Sequence, residues 1–367
     1  MTAYYLLGYK QMYKYALEKI KEEIAFLIKK AVNIVVDESD IEIPPAHIGA
    51  DLAVPLFKIA KKGGIELEKL SEEIIEKINL DDTSFVKLEA KGGFLNFVLD
   101  YAKFNQLVFE DFNKLGEQYG GSQIGKNKKI IIDYSSPNIA KPFSVGHLRS
   151  TIIGQSLYNI LSFLGYEVIG DNHIGDWGTQ FGKLIYAYKQ WGDREIIEKT
   201  PIKELLRLYI KFHEEAQKNP KLEDEGRFWF KELESKNLEV MELWQWIRDI
   251  SLKEFERIYN LLGVKFDFTL GESFYNDKLQ EVVDEIFEKG LGKWENALDK
   301  KIEGEDNQAG KVALVPLDQY GIEAPLLIQK SDGTSLYATR DLATAEYRVK
   351  KWNPEKIIYV VGSEQRL

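Results

Sequence analysis

The chain contains no cysteine in 367 residues. That removes disulfides, thiolate catalysis and cysteine-based zinc sites together. Histidine is scarce too, with four copies far apart in sequence, so a histidine metal cluster is not expected and no metal site is assigned. No apolar run reaches the length of a membrane span. The short Ala3 to Leu7 stretch is interrupted too early by Lys10 to serve as a secretory signal, so the expected location is the cytoplasm. The formal charge of −10 argues against a nonspecific nucleic-acid binder with a large cationic field, but leaves room for a local basic surface. At roughly 150 residues per domain the length allows two or three domains.

What is present is organised around Lys129 to Gly154. Ile130, Ile131 and Ile132 read as a strand buried on both faces. Pro137 and Pro142 mark the following polar segment as a loop. From Gly146 onward, Leu148, Ile152, Ile153, Leu157, Ile160, Leu161 and Leu164 recur at helical spacing. The unit is strand, polar loop, helix, and the loop opens at a helix N-terminus, where free N–H groups and the helix dipole favour anions.

The run from Asp133 to Gly154 resembles the signature of arginyl-tRNA synthetases, a family of class I synthetases, with Pro137 to His147 matching the HIGH region. The motif's first histidine is replaced by Ser144, while Gly146 and His147 are kept. A serine hydroxyl can bond a phosphate oxygen but carries no charge, so no histidine role is transferred to Ser144.

Before this unit, the apolar face Leu17, Ile20, Ile24, Ala25, Leu27 and Ile28 predicts a helix. A second helical pattern is expected from His47 to Lys61 and a third through Leu70, Ile74, Ile75 and Ile78. Strands are expected at Ser84 to Ala90 and Gly93 to Val98, and His47 reads as a turn residue. The result is a small α+β domain over residues 1–118, resembling the family's N-terminal tRNA-contacting domain. Gly120 to Lys126 has P-loop spacing but continues with Asn127, and it precedes a strand instead of following one, so it reads as a linker.

Residues 119–367 read as a doubly wound parallel, Rossmann-like α/β domain with a helical insertion at about 195–310. Tyr166 to Gly170 predicts the second parallel strand. Beyond it, Gly175 to Gly182 resembles the family, although a tight glycine turn under Trp177 explains it equally well. Within the insertion, aromatic residues such as Tyr209, Phe212 and Trp244 are expected in the core, and Glu303 to Asn307 is expected to form an exposed turn. Strands are predicted at Lys311 to Val315 and Pro325 to Lys330, with a turn at Ser331 to Thr334 and a return strand at Ser335 to Tyr337. A helix from Ala338 and a buried strand at Lys356 to Val361 follow.

The resemblance implies ATP-dependent activation of L-arginine and its transfer to tRNA(Arg), with Mg2+ as the ATP counter-ion. It implies catalytic Lys141 and His147, and ATP contacts at Ser144, Gly146, His147, Gly362 and Glu364. Arginine contacts fall at Asp133, Ser135, Asn138, Tyr337, Asp341 and Gln365; on its own, Asp341 also reads as a first-turn acid meeting a helix dipole. In the family a lysine ahead of the HIGH motif assists where the second lysine motif is degenerate, and Lys141 occupies that position. A monomer is expected. The family's second signature loop and anticodon-binding domain have no counterpart before Leu367, so a truncated polypeptide inactive alone is expected. The alternatives are another class I activating enzyme or nucleotidyltransferase, and a noncatalytic tRNA-binding module.

Overall fold

The computed structural model describes residues 14–296, 310–331, 333–334 and 336–362. The chain separates into two compact units, residues 1–124 with 163–165, and residues 125–162 with 166–367. Glu303 to Asn307 lies outside the described residues.

In the first unit, α1 (Ala16–Val32) buries Ile20, Ile24 and Ile28 at four-residue spacing, and Asn33 closes it in the left-handed conformation. His47 sits in a one-turn 3-10 segment. Then come β1 (Leu52–Pro55), α2 (Leu56–Gly63), α3 (Leu67–Lys77), β2 (Phe85–Lys91), β3 (Phe94–Leu99) and α4 (Tyr101–Leu115), the last capped by the Asp100 side chain. The sheet is antiparallel in the order β1-β3-β2, and Leu52, Val54, Leu95 and Phe97 pack on the buried faces of α1 and α3. The helical pattern expected from His47 to Lys61 is therefore corrected to a turn, a strand and a shorter helix. Pro55 biases Val54 toward extended backbone, and all four β1 residues are buried, so apolar spacing alone misreads this segment.

The second unit begins with β4 (Lys129–Asp133), α5 (Val145–Phe163) and β5 (Glu167–Asp171). Five helices follow: α6 (Thr179–Trp191), α7 (Arg194–Lys199), α8 (Pro201–Lys218), α9 (Leu222–Glu234) and α10 (Leu238–Leu262). A 3-10 segment, Glu272–Lys278, leads to α11 (Leu279–Glu288), β6 (Lys293–Asn296), β7 (Lys311–Val315) and β8 (Leu326–Gln329). The chain returns through α12 (Tyr337–Trp352) to β9 (Lys356–Tyr359). Strands β5-β4-β9 form a parallel sheet in that order, and β6-β7-β8 form a separate antiparallel one.

β4 is central in its sheet, with β5 on one side and β9 on the other. Successive connections therefore leave β4 in opposite directions, the arrangement that opens a crevice at the carboxyl ends of the strands. Ile132, Tyr134 and Ile174 share a core with Trp177 and Phe181, and with Phe230, Trp244 and Phe255 of the helical insertion, so its aromatic residues are packing groups.

Two expectations for the last third are corrected. Tyr337 opens α12 and belongs to no return strand; β8 pairs with β7 instead. The deciding tie is Thr339, whose buried hydroxyl donates to the Ile328 carbonyl and also meets the Leu336 N–H, anchoring the helix start on β8. β9 is an edge among the described strands and only half-buried at Ile357 and Ile358, not the buried strand expected.

Helix α5 lies against the start of the loop through Gly154. A Cβ there would fall 2.3 Å from the Tyr134 side chain, which is fully buried and donates its hydroxyl to the Lys265 carbonyl at 2.6 Å. Neither side can move away cheaply. Gly154→Ala is expected to lower stability by about 2–3 kcal/mol, at the upper end of ordinary overpacking costs, read as a lower urea midpoint with an unchanged slope.

Candidate active site

The loop leaving β4 is held by strained backbone and side-chain ties. Ser135, Ser136 and Ala140 adopt positive φ of 74°, 46° and 60°. A Cβ disfavours that region, and such residues persist where surrounding bonds over-determine them. Ser136 donates its N–H to Asn172 and its hydroxyl to Asp133, while the Ala140 N–H donates to Ser251 Oγ at 3.1 Å. Asn138 forms a parallel bridge with Gly175. A Cβ on Gly175 would lie 1.9 Å from the Asn138 side-chain oxygen, so this glycine makes room for the Asn138 amide.

Beneath the loop is a buried ion cluster. Asp133 and Asp171 end β4 and β5 as direct neighbours in the parallel register. Arg348 of α12, with no solvent exposure, places Nη2 at 2.7 Å from an oxygen of each, and Nε at 3.2 Å from Asp171. Burial raises the Asp171 carboxyl, whereas for Arg348 the two aspartates outweigh burial and push the guanidinium up. With three short contacts to two carboxylates, the ionised cluster is the form that fits the geometry.

The same tie positions the first turns of α12. Asp341 lies seven residues before Arg348, about 10 Å along the helix axis. Tyr337, 68% exposed, shares its face one turn earlier. Desolvation raises the Asp341 carboxyl, with Asp133 adding to the shift and His173 and Arg348 opposing it, so its field overlaps that of the strand ends.

At the start of α5, His147 accepts the Ser144 N–H on Nδ1 at 3.0 Å, and the Ser144 hydroxyl lies at the same distance from that nitrogen. A backbone N–H only donates, so Nδ1 is unprotonated and the neutral ring carries its hydrogen on Nε2. Burial lowers the His147 pKa, favouring this neutral form. Ser144 and Gly146 are exposed, and a Cβ on Gly146 would meet only the Ser144 hydroxyl at 3.6 Å.

The expected site residues thus divide into two groups. Asn138, Lys141, Ser144, Gly146 and His147 lie on the loop and helix start, and Tyr337 and Asp341 on the opening turns of α12. Asp133 and Ser135 are buried. The Asp133 carboxylate is engaged by Arg348 and Ser136, and the Ser135 hydroxyl by Tyr259 and Thr151, both at 2.8 Å. Their side chains support the loop from below, whereas the resemblance placed them on the substrate. Gly362 is exposed just after β9; Glu364 and Gln365 lie outside the described residues.

A family model described as the catalytic domain of "tRNA synthetases class I (R)" matches residues 113–367, and one for the arginyl tRNA synthetase N terminal domain matches residues 18–99. The chain belongs to the class I arginyl-tRNA synthetase family. It is 48% identical over 354 residues to an arginine–tRNA ligase of Clostridium perfringens, covering 96% of this chain and 59% of that protein. A counterpart in Halothermothrix orenii is 47% identical over 350 residues, covering 95% and 59%. The chain therefore spans less than two thirds of these relatives' length. Among solved structures, an arginyl-tRNA synthetase from Plasmodium falciparum aligns with a TM-score of 0.63 at 27% identity, covering 94% of this chain and 60% of that one. The Thermus thermophilus arginyl-tRNA synthetase shares the fold, with a TM-score of 0.56 at 20% identity over 90% of this chain and 53% of that one.

In this chain two residues escaped the sequence reading. One is Arg348. The other is Glu272, whose carboxyl is pushed up to about 7 by burial, with Asp176 and Asp341 adding to the shift and Arg340 opposing it. It is held by the Glu272 N–H to the Ile174 carbonyl, and its neighbour Ser273 donates through both N–H and hydroxyl to Asp176, which Arg248 also pairs. Asp341 and Glu272 thus place two carboxyls in one field.

Proposed function

We propose that the protein activates L-arginine with ATP and transfers it to tRNA(Arg). The observation that carries this reading is the Arg348 tie, because it draws the Tyr337 and Asp341 turns of α12 to the same strand ends from which the His147 loop departs. Family membership supports it. In the first step the arginine carboxylate attacks the α-phosphorus of ATP, forming a P–O bond while the bond to pyrophosphate breaks. In the second, a terminal tRNA hydroxyl attacks the activated carbonyl and AMP leaves. The first step needs positioning and charge stabilisation on phosphate oxygens more than a protein nucleophile. His147 Nε2–H donates to a phosphate oxygen, Lys141 supplies positive charge, and the α5 N-terminus adds its dipole. Ser144, Gly146 and Gly362 line the nucleotide side, with Glu364 assigned there by resemblance. Mg2+ enters as the counter-ion of the nucleotide; among the described residues no cluster of three or more acidic or histidine groups is arranged for a metal, so no residue is assigned to it.

On the amino-acid side, Tyr337, Asp341 and Glu272 offer acceptors to the planar five-donor guanidinium, and Asn138 and Gln365 take the α-amino and carboxylate groups. Residues 1–118 are assigned to tRNA recognition and residues 119–367 to catalysis, with the cytoplasm as location and a monomer as working form.

Arginine-dependent exchange of pyrophosphate into ATP, measured with and without tRNA in a protein that carries this sequence and is extended to its relatives' full length, tests the reading. Exchange with arginine and not lysine is expected, because a single ammonium leaves acceptors unmet at about 1–3 kcal/mol each. Equal exchange with both amino acids would overturn the pocket assignment, and tRNA binding without any exchange would favour a noncatalytic binding module.

The KM for arginine is also expected to fall as pH rises through about 7, the range in which Glu272 gains the negative charge that a guanidinium requires. Glu272→Gln should raise KM roughly tenfold and flatten this dependence, since a charge-assisted hydrogen bond is replaced by a neutral one. A pH-dependent KM surviving in Glu272→Gln would assign the titration elsewhere.

A further inference from the structure

Ala140 and Lys141 mark where the loop after β4 meets the helical insertion. Ala140 is buried against Leu184, Leu205, Phe212 and Ile247, in the left-handed conformation already described. Its N–H donates to Ser251 Oγ on α10, and the Ser251 hydroxyl donates to the Ile247 carbonyl at 2.7 Å. With its hydrogen directed along α10, Ser251 keeps a lone pair facing the loop. The next residue, Lys141, sets its Nζ 5.5 Å from the centre of the Tyr209 ring on α8, within the reach of a cation–π contact. The ring of His213, one turn along α8, stands edge-on to Tyr209 with centroids 4.6 Å apart. Among the described residues no carboxylate forms an ion pair with Lys141.

This combination has a chemical consequence. A carboxylate would orient Lys141 but neutralise the charge needed at a phosphate, whereas an aromatic face orients the ammonium and leaves its charge intact. We propose that Tyr209 and Ser251 of the helical insertion are positioning residues for Lys141, Ser251 fixing the backbone before it and Tyr209 directing its side chain. The proposal rests on Lys141 being the phosphate-facing cation of the activation step. It makes the insertion a working part of the site, since a shift of α8 or α10 moves the lysine.

The test compares pyrophosphate exchange in the protein extended to its relatives' full length, as wild type, Tyr209→Phe and Tyr209→Leu, each also combined with Lys141→Ala. Tyr209→Phe keeps the π face and should stay within about twofold of wild type. Tyr209→Leu should slow exchange roughly three- to tenfold with KM for arginine unchanged. In the Lys141→Ala background Tyr209→Leu should have no further effect. Equal losses in both backgrounds, or equal losses for Phe and Leu, would make Tyr209 only a packing residue and overturn the proposal.

A second readout is independent of activity. After reductive methylation, the dimethyl-lysine NMR signal of Lys141, assigned by its loss in Lys141→Arg, should be ring-shifted in wild type and Tyr209→Phe and unshifted in Tyr209→Leu. An unshifted wild-type signal overturns the contact whatever the exchange rates are. A shifted signal in a protein without exchange upholds the contact and sinks the activation reading.

Discussion

Replacing Arg348 with methionine is expected to lower the unfolding free energy by about 3–5 kcal/mol, the usual cost of removing one member of a buried ion cluster. Methionine fills much of the space, so the loss is electrostatic more than steric. The guanidinium is the shared counter-charge of Asp133 and Asp171, which lie side by side where β4 and β5 end. Without it two buried carboxylates face each other, and one must take up a proton or the strand ends must separate. The folded-state carboxyls of the variant would then lie above their unfolded values. The folded state would bind more protons than the unfolded state, so the deficit should shrink as pH falls from 7 toward 5. Combining Arg348→Met with Asp133→Asn and Asp171→Asn should restore most of the loss, because the unpaired charges are removed along with their partner. Urea midpoints at the two pH values decide it. A single variant as stable as wild type would show that the cluster contributes nothing to holding α12 on the sheet.

In a protein extended to its relatives' full length, His147→Ala is expected to slow arginine activation by about 10²-fold or more, the scale for losing one donor that acts on developing charge. The KM for arginine should hardly move, because the role proposed for this residue is on the nucleotide side. The hydrogen bond from the Ser144 N–H fixes which nitrogen is free to donate, and lowering of the pKa by burial keeps the ring neutral. Protonation would place a hydrogen on Nδ1 and break the Ser144 bond. That loss begins only below the ordinary histidine value of about 6.5. Any acid limb due to this residue should therefore lie below that pH in wild type and vanish in the variant. Single-turnover adenylate formation measures both effects, and an unchanged rate would remove His147 from the site.

The strand, loop and helix from Lys129 to Phe163 were legible in sequence because three isoleucines, two prolines and a regular apolar spacing each point to one conformation. Arg348 was not. It lies 215 residues from Asp133, beside Lys350 and Lys351, where it reads as one more surface base on a helix. Only the packing of α12 across the strand ends turns it into a counter-charge. Glu272 was missed for a related reason: its raised pKa comes from burial and from Asp176 and Asp341 on two other segments, none visible in the local run Gly271 to Tyr275. The Ser335 to Tyr337 misreading has a local cause. A glycine turn followed by an aromatic residue looks like a hairpin until the Thr339 tie to β8 starts a helix.

The central place of β4 also bears on how the molecule breathes. Ladder bonds run from β4 to β5 on one side and β9 on the other. The Ile131 and Ile132 amides should therefore be among the slowest to exchange with deuterium, released only by large openings of the second unit. Beyond Ala140 the loop is half-buried or exposed from Lys141 to Gly146, so its amides there should exchange far sooner. The outer end of the loop would then open and close while its root stays fixed. A nucleotide that protects the loop without altering β4 would be acting on the hinge alone.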